Sequence, residues 1–273
     1  MSATENPGTN TGTLADGTAV SVIDLAQPLH PNIPVSPSHP GYKHALLRRH
    51  GDAVRVDGTS GANDMLVLGT HTATHMDALA HISHEGMLHG GVSAAEAQVG
   101  GRYLQHGIHT VPPVVAPGLL LDVPAALGVE RLDAGYAVTP EDLARALGDR
   151  VVPQGAALLV RTGWGRLWDA PHDFLSHDAG VPGPDEAAAA WLAAHRPVVV
   201  GSDTTAFEHI PASEGHARLP GHRILLVESG IPILEMLALE GLAPVAPDVF
   251  TFIAAPLRLV GATGSPLRPL ALI

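Results

Sequence analysis

The stretch GTHTATHMDALAHIS, residues 69–83, places His71, His75, Asp77 and His81 at separations of four, two and four, with Thr74 inside the run. Every separation is even. On one extended strand all four side chains would share a face, but ten residues at ~3.3 Å each would spread His71 and His81 over about 33 Å. One metal site cannot hold both ends of such a strand. Residues four apart on a helix lie within ~5 to 6 Å at their Cβ atoms, so a helical spacing brings His71 to His75 and Asp77 to His81. The expected path is therefore a strand over the apolar run Met65–Leu68, stopped by Gly69, a turn carrying the first pair and a helical turn carrying the second.

Two neutral imidazoles and a carboxylate suit Zn²⁺ or Mn²⁺ and leave positions open for water and substrate, which points to catalysis rather than a structural metal. His81 has two possible roles. It can complete the coordination sphere, or stand outside it and take a proton from the activated water; the proton role is preferred. Four ligand-type side chains in eleven residues outweigh the alternative of ordinary polar residues in a loop.

Outside this stretch, apolar runs at Leu119–Leu121, Ala157–Val160, Val198–Val200 and Val249–Ile253 lack polar alternation and read as strands covered on both faces. Polar residues close several of them: Asp122, Arg161 with Thr162, and Ser202 with Asp203. Ser93 with Glu96 opens one helix, Thr139, Pro140 and Asp142 open a second that Gly148 closes, and a third runs from Asp185 to His195 before Pro197. Strands interleaved with helices predict a single α/β layered domain with a mixed sheet over residues 20–273. Residues 1–19 are small, polar and aperiodic and are expected to form a disordered leader. Residues 20–42 begin as a β-rich run and then carry prolines at 28, 31, 34, 37 and 40, which favour an extended path.

Composition narrows the function. The 273 residues include no cysteine, so thiolate metal sites and cysteine nucleophiles are excluded. Fifteen basic against 27 acidic residues give a formal charge of −12, which opposes nucleic-acid binding. No apolar run reaches the ~20 residues of a membrane span and no signal core is present, so a cytoplasmic protein is expected. The 17 histidines are dispersed apart from the one cluster, which argues against a metal-sequestering protein as the alternative to an enzyme.

The run His71–His81, HTATHMDALAH, resembles the signature HxGTHxDxPxH of the cyclase family, which includes bacterial kynurenine formamidase and isatin hydrolase. Ala73 stands where the signature has glycine and Leu79 where it has proline, changes of backbone shape rather than of ligand chemistry. VIDLAQPL, HRILLVESGIPILEML and PLRLVGATGSPLRPLAL resemble the family's opening, second metal segment and closing sequence. The resemblance implies a swivelling β/β/α fold, a homodimer or homotetramer, and one or two ions of Zn²⁺ or Mn²⁺. It implies His71, His75, Asp77, His222 and Glu235 as ligands, Asp77 and Glu235 bridging where two ions are held, and His81 as proton donor and acceptor. The expected reaction is hydrolysis of a carbon–nitrogen bond in an aryl formamide or cyclic amide by metal-activated water, with a lactone or ester as the alternative. Trp164, Phe174 and His209 are candidates to line a pocket for a flat ring of a small aromatic or cyclic substrate.

Overall fold

The computed structural model describes residues 10–37 and 39–273. Its strands are β1 (Asn10–Thr13), β2 (Ala19–Asp24), β3 (Lys43–Arg48), β4 (Asn63–Val67), β5 (His75–Asp77) and β6 (Val114–Asp122), followed by β7 (Ala157–Arg161), β8 (Val199–Ser202), β9 (Ile233–Glu235), β10 (Phe250–Ala254), β11 (Gly264–Pro266) and β12 (Leu270–Leu272), besides three short two-residue ladders. Ten of them form one mixed sheet in the order β1-β2-β12-β10-β6-β7-β8-β9-β5-β11. The β6-β7-β8-β9 block is parallel and its flanks are antiparallel. Strands β3 and β4 pair only with each other, as a separate hairpin arm.

Leu119–Leu121, Ala157–Val160 and Val199–Val200 lie in strands buried on both faces, as expected. Phe250–Ala254 instead alternates, with Phe250, Phe252 and Ala254 buried and Thr251 exposed, because it lies outside the parallel block and only one of its faces meets the core. Leu119, Leu121, Leu158 and Val160 join a core with α2 (Pro140–Leu147) and α3 (Glu186–Ala194), where α1 is the earlier single turn Ala94–Ala97. Leu120, Ala157, Leu159 and Val199 point the other way, onto Met76, Leu234, Phe252 and Ala271. The caps behave as the sequence suggests. Thr139 and Asp142 form a reciprocal capping box, Gly148 closes α2, and Asp185 caps α3 by accepting from Ala188 N. Ser93 also caps α1, but that helix ends after four residues because Gln98 turns extended. No helix among the described residues is long and apolar enough to cross a membrane.

Two expectations need correction. Residues 10–19 are not a leader: Asn10–Thr13 pairs with Ala19–Val22 across a turn in which Gly17 has φ +87° and Asp16 accepts from Thr18 N. The Asp16-Gly17 pair is the hairpin signal that composition concealed. The domain therefore begins at or before residue 10; residues 1–9 lie outside the described residues. Nor does a helical turn carry Asp77. Residues 75–77 hydrogen-bond to strands on both sides, β9 and β11, which claims the backbone groups a helix would need.

Leu159 is fully buried between the parallel neighbours of β7. Replacing it by alanine is expected to cost about 2–5 kcal/mol in urea unfolding, the usual range for a large-to-small core change. A loss below about 1 kcal/mol would show that this layer is loosely packed.

Candidate metal centre

Strand β5 solves the spacing problem. Alternation along its three residues sends His75 and Asp77 to one face and Met76 to the apolar core on the other. Glu235 on β9 lies directly opposite His75, which puts both carboxylates on the same face. His71 precedes the strand in a turn and His81 follows it in another, closed by His81 N donating to Ala78 O. The chain folds back at both ends, so the rings of His71 and His81 stack with centroids 4.0 Å apart. His222 arrives from α4 (Pro220–His222), which continues into wide π-type turns over Arg223–Ser229. Such turns recur at functional sites.

The carboxylates face two ways. Asp77 Oδ1 lies 2.6 Å from His71 Nδ1 and 3.3 Å from His75 Nε2, while Oδ2 is 3.5 Å from His222 Nε2. Glu235 repeats the pattern, with Oε2 3.4 Å from His75 Nε2 and Oε1 3.3 Å from His222 Nε2. Asp77 Oδ2 and Glu235 Oε1 are buried and make no aligned hydrogen bond among the described residues. Such orphaned oxygens are what a cation would satisfy. Ligand atoms of His75, Asp77 and Glu235 lie within 4.8 Å of one another, as do those of His71, Asp77 and His81. All six side chains named from the sequence as ligands or proton carrier are thus brought together, and the donor set of nitrogen and oxygen fits a divalent transition ion.

The other ring nitrogens fix each imidazole. His75 Nδ1 donates to Ala73 O at 2.7 Å, and His71 Nε2 contacts Thr263 Oγ1 at 2.8 Å. Glu208, 1% exposed, contacts His222 Nδ1 at 2.7 Å and accepts from the backbone N–H groups of Gly221 and His222. Thr74 donates to Met236 O and accepts from Gln27 N, clamping the motif to β9 and to the first segment of the chain. Ala73 and Met236 both take positive φ, +53° and +54°, close in the chain to the candidate ligands His75 and Glu235. Ala73 thus holds the left-handed conformation for which glycine is better suited.

Electrostatics follow from burial. It would lower His75, but Asp77 and Glu235 outweigh it and raise the imidazole to about 9. His222 is raised for the same reason, with Glu208 adding to the pull. Burial pushes His81 down to about 3, countered in part by Asp77 and reinforced by His71 and His222. Burial raises Glu235 and the charge of Asp77 adds to it, whereas the surrounding imidazoles hold Asp77 well below its usual range despite its own burial.

A family model described as putative cyclase matches residues 23–209. The chain belongs to the cyclase family. The kynurenine formamidase of Sphingopyxis alaskensis is 26% identical over 253 residues, covering 90% of this chain and 95% of that protein. A crystal structure of a novel cyclase superposes with TM-score 0.83 at 28% identity, covering 92% of this chain and 87% of the other. Isatin hydrolase A from Ralstonia solanacearum gives TM-score 0.71 at 26% identity, covering 93% and 92%.

In this cyclase-family chain a cavity of about 370 Å³ opens onto the cluster, lined by His71, His75, His81, His222 and Glu235. Its remaining walls include Ile82, Leu175, Val181, Ile210, Leu219 and Met236. The three candidate ring-binding residues are not among its lining. Trp164 and Phe174 are core: Trp164 Nε1 donates to Phe174 O at 2.8 Å, and Phe174 packs edge-on against Trp168. Leu175, Ser176 and His177, next in sequence, face the cavity instead. Ile210 lines the cavity and pairs with Val181, so alternation turns His209 the opposite way. The strand-end residues Asp122, Arg161, Thr162 and Asp203 form a structural network, with Arg161 held by Asp122 and Glu240, and Thr162 donating to Asp203.

Sequence reasoning missed Glu208, Thr263 and the cavity histidines His39, His177 and His216. Each sits alone among unpatterned residues and gives no spacing signal. Glu208→Ala is expected to weaken metal binding about 10- to 100-fold while the fold survives, the usual effect of losing a histidine-orienting carboxylate. Burial beside Asp77 and Glu235 favours the protonated forms of His75 and His222, so ion binding should expel protons from the pair. Calorimetry in buffers of different ionisation enthalpy should detect proton release, with affinity rising up to roughly tenfold per pH unit per proton toward pH 9; buffer-independent heats would contradict this.

Proposed function

We propose that this chain is a divalent-metal-dependent hydrolase that cleaves the carbon–nitrogen bond of an aryl formamide or cyclic amide. The observation that carries the reading is the pair of buried carboxylates, Asp77 and Glu235, each aimed at both His75 and His222 and each left with an unsatisfied oxygen. His71, His75, Asp77, His222 and Glu235 would hold Zn²⁺ or Mn²⁺, one or two ions per chain. When bound, the metal supplies Lewis acidity, polarising the scissile carbonyl and acidifying water near neutral pH.

The protein's own groups do the rest. The apolar walls keep bulk water from the substrate, and about 370 Å³ exceeds the ~150 Å³ that encloses a benzene ring, leaving room for a fused or substituted one. His81 stands on the cavity wall, and the adjacent Asp77 carboxylate would stabilise its ring as it takes a proton from attacking water. It then delivers that proton to the departing nitrogen. An amine is too basic to leave unprotonated, so this transfer matters more for an amide than for an ester or lactone. The names of the formamidase and isatin hydrolase relatives support an amide substrate.

Three measurements test this. Elemental analysis should find one or two equivalents of Zn²⁺ or Mn²⁺, and a metal-free protein that no ion activates would overturn the reading. Asp77→Ala should strip metal most severely, since it removes a charged ligand with both oxygens engaged. His81→Ala should keep its metal and lose roughly 10²- to 10⁴-fold in rate on formanilides or isatins, with a smaller loss on aryl lactones. Depleted metal with equal losses on both substrates would make His81 a ligand, which its place beside His71 and Asp77 also permits.

A further inference from the structure

A second group of histidines lines the metal cavity. His39, His177 and His216 come from three separate segments of the chain, and none belongs to the ligand motif. Burial divides the lining into two levels. His75, His222 and Glu235 are buried at the floor, as are the apolar Val181, Ile210 and Met236, whereas His177 and His216 are exposed and so stand at the mouth. His39, half-buried, joins the two levels: its ring centroid lies 5.8 Å from that of His71, and its charge reaches His216. No hydrogen bond engages the ring of His177 or His216 among the described residues. Their N–H groups are free to serve whatever occupies the opening.

The chemistry of the lining selects the occupant. Glu235, the carboxylate of the cavity wall, is engaged at the floor by His75 and His222, so a basic substituent at the mouth would meet no counter-charge among the described lining residues. A metal ion does not fit the rim either. Ligand atoms close enough to share an ion occur in two groups among the described residues, and neither includes His39, His177 or His216. An anion does fit, since an imidazole donates a ring N–H when neutral and adds a positive charge when protonated. Burial, with His222, His177 and His39 nearby, holds His216 below the ordinary imidazole value, because protonated rings in one cavity repel one another. An anion seated among the rings relieves that repulsion. The whole chain carries −12 and repels anions at a distance. Physiological salt screens charges beyond about 8 Å, however, so the donors at the mouth decide what is held there.

We propose that His177 and His216, backed by His39, bind an acidic substituent, so that the substrate is an aryl or cyclic amide carrying a carboxylate away from its scissile bond. The inference rests on the hydrolase reading for the amide and on the rim for the acid. A flat ring lying on Val181, Ile210 and Met236 turns one edge to the floor, where the amide reacts, and the other to the mouth, where the rim takes the carboxylate. The rim acts through binding and touches no reacting atom.

Three formanilides test it, carrying at the para position a carboxylate, a neutral acetyl group of the same shape, or a cationic aminomethyl group. On the metal-loaded protein kcat/KM should be about tenfold higher for the acid than for the acetyl compound, mainly through KM, the gain expected of charge-assisted hydrogen bonds at a partly solvated site. The aminomethyl compound should be the poorest of the three. In the pair His177→Gln with His216→Gln the acid-to-acetyl ratio should fall to within about twofold of one. His177→Arg with His216→Arg should restore it, and the corresponding pair of Glu substitutions should favour the aminomethyl compound. A wild-type ratio near one, a ratio that survives the glutamine pair, or an equal loss on all three substrates would overturn the proposal. Calorimetry with the matching aryl ureas, which resist hydrolysis, separates binding from turnover. Tighter binding of the acid urea that the glutamine pair abolishes would uphold the rim even if no amide were cleaved. Amide turnover without that preference would remove the rim and leave the hydrolase reading in place.

Discussion

Two carboxylates buried within reach of the same two imidazoles set the terms for this molecule. Asp77 and Glu235 cannot both remain ionised away from water unless positive charge stands between them. The carboxylates draw protons onto His75 and His222, raising both imidazoles, and a bound cation would displace those protons. Proton and metal therefore compete for one place. The surrounding architecture serves to keep four mobile side chains from relaxing away from it: β5 is hydrogen-bonded on both edges, Thr74 ties the motif to Met236, and Glu208 anchors His222 from behind.

The chemistry of the site divides along the sheet. One face of β5 carries His75 and Asp77 and the other, through Met76, enters the apolar core, so a one-residue slip would exchange the two. The strained backbones at Ala73 and Met236 flank this register on both strands. Positive φ at non-glycine residues persists only where surrounding contacts over-determine it, and both positions are buried within the same apolar cluster.

The local ligand cluster was legible because its chemistry is compressed into eleven residues, and the central strands because burial on both faces leaves an unmistakable apolar run. His222 and Glu235 were visible only through resemblance, since each looks like an ordinary polar residue beside an apolar segment. The even spacing of the motif was meaningful, but a strand flanked by two turns replaced the expected helical turn because β9 and β11 occupy both edges of β5. Pairing across ~150 residues is not written in local periodicity. The candidate aromatics failed for a related reason: Trp164 and Phe174 do support the cavity, but from behind its wall, with their neighbours at 175–177 facing inward. Asp16-Gly17 was a readable turn signal hidden in a small, polar stretch.

Strand β5 is next to last in the spatial order of the sheet but early in the chain, and both of its neighbours, β9 and β11, are synthesised after it. While the polypeptide leaves the ribosome, His71, His75 and Asp77 therefore emerge without a ladder to join, and more than half the domain must follow before residue 266 closes the second edge. The centre is assembled late, as a product of long-range closure, and an ion encountering the nascent chain meets a loose tripod of side chains rather than a cage. Any selection among ions would in this sense be a property of the finished sheet, imposed after translation has passed the last strand that borders the cluster.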